Sequence, residues 1–263
     1  MNALFLGYGR MGSALGEAWL QAGLVERISA VDPHAEALGH ALLYPDLQAL
    51  PAQAFDLILV ATKPGQACTV LAALPDALCQ GATVISVAAG VSCASLAAAL
   101  RQRCPVVRAM PNTPVLVGAG CTGLYADADL DEARRQRIGR LFGTVGSAHW
   151  VAREGLLDAV TALSGSGPAY YHLFSEALAD AGVALGLPAE LARELAAQTA
   201  FGAALLQTQE GADFVELRRA VTSPNGTTAA AIAHFEQDQA LRRLVEAAAR
   251  AAFGRSQELS QGA

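Results

Sequence analysis

Two glycine-bearing turns and one lysine are the residues of this chain whose type and spacing suit chemistry. Gly7-Tyr-Gly-Arg-Met-Gly12 has the G-x-G-x-x-G spacing. Ser223-Pro-Asn-Gly226 stacks four turn residues just before Thr227 and Thr228 open a helix-like run. A helix start offers free backbone N–H groups and the positive end of the helix dipole, so both turns suit an anion. At the second turn the Thr228 hydroxyl would lie beside that anion and could donate a hydrogen bond to a neighbouring atom. The alternatives are a structural glycine loop at the first turn and an ordinary helix connection with a Thr N-cap at the second. Lys63, in Ala61-Thr-Lys-Pro64, is the only lysine; the other seventeen of the eighteen basic residues are arginine. A compact ammonium differs from a planar guanidinium fork, and a site that accepts only the former would retain it; chance survival on the surface is the alternative.

The elements around the first turn give it context. Ala3–Leu6 reads as a strand and Met11–Gln21 as a helix, which places Gly7, Tyr8, Gly9, Arg10, Met11 and Gly12 at a strand-to-helix turn. In that setting Gly7 makes the tight turn, Gly9 lets a pyrophosphate approach the backbone, and Gly12 lets helix pack on strand. Arg27–Val31 reads as strand two and ends at Asp32, about 20 residues past the last glycine, where the dinucleotide fingerprint expects an acidic residue. Its carboxylate suits the ribose hydroxyls of NAD and would repel the 2′-phosphate of NADP, an effect Arg10 or His34 could offset. Residues 55–61, 83–87 and 106–110 read as further strands. The segments that follow them should line the cofactor: Ala61, Thr62, Lys63 and Pro64; Val87, Ala88 and Ala89; and Arg108-Ala-Met-Pro-Asn-Thr-Pro114. Strands alternating with helices indicate an α/β fold with a doubly wound, mainly parallel sheet. From about Leu156 only helix-like runs remain, separated by Gly186-Leu-Pro188, Gly211, Ser223–Gly226 and Asp238. The expected division is residues 1–152, a dinucleotide-binding Rossmann domain, and residues 153–263, an all-α domain. The second is too apolar for one thin helical layer, and a second copy would cover the surplus.

Composition narrows the classes. Apolar residues are 53% of the 263 and charged residues 16%, a globular balance. A net charge of −6 argues against nucleic-acid and anionic-membrane partners. No apolar run reaches a membrane span, and the N-terminus lacks a basic signal-peptide region. Five cysteines without a C-x-x-C pair point to neither a disulfide framework nor a zinc site. No metal is expected, and the cytoplasm is the expected location.

With these motifs in place the chain resembles the pyrroline-5-carboxylate reductase family, nearly end to end. Besides those already quoted, Ile85-Ser-Val-Ala-Ala-Gly-Val91, Leu163-Ser-Gly-Ser-Gly-Pro-Ala-Tyr170 and Val221–Thr228 carry the likeness. It implies a Rossmann domain followed by a helical dimerisation domain, and reduction of the cyclic imine 1-pyrroline-5-carboxylate to L-proline by NADPH or NADH, the last step of proline synthesis. It implies that Gly226, Thr227 and Thr228 hold the substrate carboxylate through their backbone, that the Thr228 hydroxyl bonds the ring nitrogen, and that Glu154 and the turn containing Ser166 lie near the substrate. The partner's helical domain completes the pocket in this family, so a homodimer or higher homo-oligomer is implied. Thr228 and Lys63 are the expected catalytic residues, Lys63 supporting the nicotinamide ribose or amide. The chain departs from the family's pattern at Asn225, usually Gly, at Thr62, usually Val, and at Ala220, often Asn.

Two other readings stand beside this one. A β-hydroxyacid dehydrogenase shares the glycine opening but needs a lysine on a helix of its second domain, and Lys63 lies in the first. A nucleotide-binding sensor without turnover would not need the polar turn at Ser223–Thr228.

Overall fold

The computed structural model describes residues 1–34, 39–51, 53–127 and 130–261. Among these, an eight-stranded sheet runs in the order β3-β2-β1-β4-β5-β6-β7-β8. Its strands are β1 (Asn2–Leu6), β2 (Arg27–Val31), β3 (Leu42–Tyr44), β4 (Leu57–Val60), β5 (Thr83–Ser86), β6 (Val106–Met110), β7 (Gly120–Ala126) and β8 (Gly146–Trp150). Every neighbouring pair is parallel except β6–β7. The helices between them are α1 (Arg10–Gln21), α2 (Pro64–Ala72), α3 (Asp76–Cys79), α4 (Cys93–Ala99) and α5 (Glu132–Gly143). After β8 come α6 (Leu156–Val160), a π-helical turn (Thr161–Gly165), α7 (Gly167–Ala184), α8 (Ala189–Gln207), α9 (Phe214–Ala220), α10 (Thr227–Glu236) and α11 (Ala240–Gln261).

The central strands are continuous apolar runs because both faces of the sheet are covered. Along β1, Ala3 and Phe5 enter one buried cluster while Leu4 and Leu6 enter the other. Leu57 and Leu59 of β4 part from Ile58 and Val60 in the same way. Period-two alternation divides each strand between two cores. The first core is built on Trp19 of α1, whose ring lies 5.7 Å from Phe5 and 5.6 Å, edge-on, from Phe142 of α5. At the sheet edge the Arg135 guanidinium lies 4.8 Å above the Trp150 ring, a cation–π contact that covers a strand otherwise open to water.

Strand order reverses between β1 and β4, and the parallel register brings the ends of successive strands level there. Leu6 pairs with Val31 and Val60, and Val60 with Ser86. The ladder runs one residue further: Gly7 N–H donates to Val31 O at 2.9 Å, Ala61 N–H to Leu6 O at 2.8 Å and Val87 N–H to Val60 O at 3.0 Å. The strand ends that should line a cofactor are therefore set side by side, at the switch point where open α/β sheets bind ligands.

The chain forms two compact units. One is Met1–Ser166 together with the last turns of α11 from Ala252; the other is Gly167–Ala251. In the second, α7 and α8 pack closely, and small residues bring them together: Gly182 approaches Ala192, which with Ala179 and Ala196 is buried. Large apolar side chains on its helices stay exposed, among them Leu173, Leu178, Phe201, Leu206 and Leu244. No helix among the described residues is long and apolar enough to cross a membrane.

Candidate active site

The glycine loop is shaped by close backbone approach. Gly7 has φ +91°, and a Cβ on it would stand 2.8 Å from Ala61 O. A Cβ on Gly12 would stand 2.7 Å from Gly7 O. Gly9 differs: a Cβ there meets nothing within 4 Å, so the space above it is open. Gly9 is the N-cap of α1 and makes no side-chain cap bond. The first intrahelical bond is Ser13 N–H to Gly9 O at 2.9 Å, which leaves the amides of Arg10, Met11 and Gly12 without helical acceptors. An open cradle over free amides at the positive end of a 12-residue helix fits a pyrophosphate.

Asp32 is fixed beside this cradle. Its Oδ2 accepts from Tyr8 N–H at 2.8 Å and its Oδ1 from His34 N–H at 2.9 Å. Tyr8 is buried and donates its hydroxyl to Glu17 Oε1 at 2.9 Å. Burial, then that carboxylate, push the Tyr8 hydroxyl well above its ordinary range, so it stays protonated. Burial alone would raise Glu17, but hydrogen bonds from His40 and Tyr8 outweigh it and hold the carboxyl below its usual range. Ala61 follows β4, and Lys63 caps α2 with Pro64 at its first position, the side chain of Lys63 exposed. The Thr62 hydroxyl is buried with no partner in the protein among the described residues.

Behind the loop after β5 lies a buried ion pair absent from the sequence reading. Arg108 Nη1 donates to Glu154 Oε1 at 2.8 Å, and Cys93 N–H donates to the same oxygen at 2.7 Å. An arginine in the apolar strand Val106-Val107-Arg108-Ala109-Met110 was the signal, since a buried charge needs a partner. Burial, and then Glu154, push the Cys93 thiol up to about 12, so it remains a thiol at neutral pH. Asn112 ties the next turn on both sides: its Nδ2 donates to Ser164 O at 2.9 Å, and its Oδ1 accepts from Cys121 N–H at 2.8 Å. A Cβ on Gly165 would stand 2.9 Å from the Met110 methyl, so a side chain there would have to displace that flexible methionine end. The Ser164 hydroxyl donates to Val160 O at 3.0 Å, whereas that of Ser166 has no partner among the described residues.

The second glycine turn repeats the logic of the first. The N-cap of α10 is Gly226, with no side-chain cap bond, rather than a threonine. Ala230 N–H to Gly226 O at 3.2 Å is the first helical bond, so the amides of Thr227, Thr228 and Ala229 lack helical acceptors. A Cβ on Gly226 would meet Ser223 Oγ and stand 3.1 Å from Ser223 O. Asn225 has φ +58°, a conformation Asn tolerates better than other non-glycine residues, so the turn keeps its shape despite the departure there.

Comparison with known proteins accounts for both halves. A family model described as pyrroline-5-carboxylate reductase dimerisation matches residues 154–259, and one described as NADP oxidoreductase, coenzyme F420-dependent, matches residues 3–90. A pyrroline-5-carboxylate reductase of Pseudomonas aeruginosa is 44% identical, covering 98% of this chain and 96% of that one. The chain belongs to the pyrroline-5-carboxylate reductase family. The same enzyme from Haemophilus influenzae is 36% identical over 97% of this chain and 96% of its own. The structure of the Coxiella burnetii reductase superposes with a TM-score of 0.87 at 34% identity, covering 98% of each chain. That of a Plasmodium falciparum pyrroline carboxylate reductase with NADP bound has a TM-score of 0.84 at 28% identity, covering 99% of this chain and 98% of that one. The fold expected from sequence, a Rossmann domain followed by an all-α dimerisation domain, is the observed one.

Proposed function

We propose that this chain is a pyrroline-5-carboxylate reductase, and that the glycine-capped N-terminus of α10 is where its substrate carboxylate binds. The chain reduces 1-pyrroline-5-carboxylate to L-proline with NADPH or NADH, the last step of proline synthesis. The observation that carries the substrate reading is the free first turn of α10, where the amides of Thr227, Thr228 and Ala229 are open, that of Gly226 donating to Ser223 O at 3.1 Å, and the Thr228 hydroxyl has no partner among the described residues. Bound NAD(P)H supplies the hydride. The cradle of Gly7–Gly12, with Asp32, Ala61–Pro64 and Val87–Ala89, holds the dinucleotide, and Lys63 supports its nicotinamide ribose or amide. Thr228 orients the ring nitrogen, while Gly226 and Thr227 hold the carboxylate. A protonated imine accepts hydride readily, so positioning and exclusion of water are the protein's main contributions. Ser166, with its free hydroxyl, lies on the substrate side. Glu154, whose Oε1 is already bonded to Arg108 and Cys93, acts there by setting the backbone around it.

The functional division we propose is nucleotide binding by residues 1–152 and dimerisation with substrate binding by 153–263, supported by the dimerisation match over 154–259. Exposed leucines and phenylalanines on α7, α8 and α11 support a homodimer on which activity depends. Cytoplasmic residence follows from the biosynthetic role and five free cysteines. Removing the Thr228 hydroxyl with Thr228→Ala should lower kcat/KM for the imine about ten- to a hundredfold, the worth of roughly 1.5–3 kcal/mol for a hydrogen bond to a charged group. Steady NAD(P)H oxidation followed at 340 nm measures it. A variant with undiminished kcat/KM would remove Thr228 from the mechanism.

A further inference from the structure

The loop that follows β5, Val87-Ala-Ala-Gly90, has no long side chain with which to anchor itself. Its position comes from outside. At its start Ala88 N–H donates to Ser86 Oγ at 3.2 Å, and beyond its end Cys93 N–H donates to Glu154 Oε1. Its turn, Gly90 with φ +78°, lies against the last turns of α11: a Cβ there would stand 3.1 Å from Leu259 O and 3.4 Å from Leu259 Cβ. Those turns are themselves latched. The Ser256 hydroxyl, on a buried residue, donates to Asp158 Oδ1 of α6 at 2.7 Å, and Ser260 adds a longer bond of 3.4 Å to the same oxygen. Leu259 sits between the two serines on the helix, so the bond to Asp158 fixes the height at which its backbone meets Gly90.

We propose that the C-terminal turn Ser256–Ser260, latched to Asp158, is a positioning element for cofactor binding. It holds the Val87–Gly90 loop in the conformation that receives NAD(P)H. The inference rests on the reading of Val87, Ala88 and Ala89 as cofactor residues. A loop of small residues that is ordered before the ligand arrives spares the ligand that ordering, and the gain appears in affinity rather than in the chemical step.

The test uses the protein with three kinds of variant. Ser256→Ala and Asp158→Ala break the latch, Asp158→Asn keeps an acceptor oxygen, and Ala89→Asp sets a charge at a half-buried position of the loop. Dissociation constants for NADH and NADPH are read by fluorescence titration, beside melting temperature, kcat and the KM for pyrroline-5-carboxylate. Breaking the latch should raise the cofactor dissociation constants about three- to tenfold while kcat and the imine KM move by less than about twofold. Asp158→Asn should bind as the parent does, and Ala89→Asp should weaken binding further. Asp158→Ala, at the other end of the same bond, gives a second measurement should Ser256→Ala fail to fold. If Ala89→Asp weakens binding while the latch variants bind normally, or lose kcat and imine KM in step with affinity, the latch is ordinary packing and the proposal is wrong. If Ala89→Asp binds normally, the loop is not a cofactor site, and that prior reading falls first.

Discussion

Gly7 and Gly9 are two residues apart in one motif, yet alanine should do opposite things at them. At Gly9 the backbone is already acceptable to any residue, with φ −73° and ψ −163°. An added Cβ meets no protein atom within 4 Å. Reduced freedom of the unfolded chain favours Gly9→Ala by about 0.4–1 kcal/mol, and alanine's weaker N-capping costs a similar amount, so stability should hardly change. The new methyl instead occupies the open space over the free amides of α1. Losing one amide–phosphate bond there costs about 1.5–3 kcal/mol, or roughly ten- to 150-fold in cofactor affinity. At Gly7 the left-handed φ alone costs alanine about 1–2 kcal/mol. The Cβ would also press on the Ala61 carbonyl at 2.8 Å, a backbone atom that cannot rotate away. Gly7→Ala should therefore lower the melting temperature by about 5–10 °C, at roughly 2–4 °C per kcal/mol for a chain of this length. Thermal melting and fluorescence titration with NADH and NADPH on both variants decide the matter. A Gly9→Ala protein that melts normally and binds both cofactors like the parent would refute the placement of the pyrophosphate.

Three further outcomes follow from the same geometry. Asp32→Ala removes the charge that would face a 2′-phosphate, so the kcat/KM ratio of NADPH to NADH should rise about tenfold; an unchanged ratio would show that Asp32 does not set cofactor choice. Asn225→Gly should leave stability and activity near the parent's, whereas Asn225→Val should cost about 1–2 kcal/mol at φ +58°, read by thermal melting. Glu154→Ala strands the buried Arg108 guanidinium and frees the Cys93 amide, and should destabilise by about 2 kcal/mol once the partial exposure of Glu154 is allowed for; a melting curve unchanged from the parent's would mean that water replaces the carboxylate.

The nucleotide half was legible where local signals and topology agree. Strands β2 and β6 have the bounds read from their sequence, and β1 and β5 lie within a residue of theirs. The meeting of Gly7, Asp32, Ala61 and Val87 follows from parallel strands around a switch point, so it could be expected before any coordinate. Strand β7 was not read because Gly120 and Gly123 look like turn residues. The structure explains both: a Cβ on Gly120 would stand 2.9 Å from Val145 O, and one on Gly123 2.7 Å from Val160 Cγ1 of α6. Strand β8 is a half-exposed edge with little apolar pattern. Helix α5 buries only Ile138, Leu141 and Phe142, and its charged first turns hid it, although Asp131 accepting from Arg134 N–H at 2.7 Å is a readable N-cap.

Of the site, glycine turns were legible and long-range clamps were not. Nothing local to Ser256 announces a bond to Asp158, 98 residues earlier, and Asn112 reaches 52 residues ahead to Ser164. Such pairs depend on tertiary placement, which periodicity does not report. The Arg108–Glu154 pair is intermediate, because a lone arginine in an apolar strand demands a partner without naming it.

The helix starts of this fold differ in what they leave open to a ligand. Helices α4, α5 and α9 begin at Ser92, Asp131 and Asp213, whose side chains accept first-turn amides, so those ends are satisfied within the protein. Helices α1 and α10 begin at glycine with no side-chain acceptor, as does the short α6 at Gly155, and α2, α3 and α8 lack a side-chain acceptor too, so it is the company of Asp32 and Thr228 that sets α1 and α10 apart. Amides left open at the positive end of a helix suit an anion of the right shape. One of these two helices leads into the strand that ends beside Asp32; the other carries Thr228. A dinucleotide pyrophosphate and a small carboxylate are the two anions that imine reduction must hold, and a serine or aspartate cap at either helix would compete with the ligand for the same N–H groups. On the assignment proposed above, leaving both ends uncapped is part of the positioning on which the reaction depends.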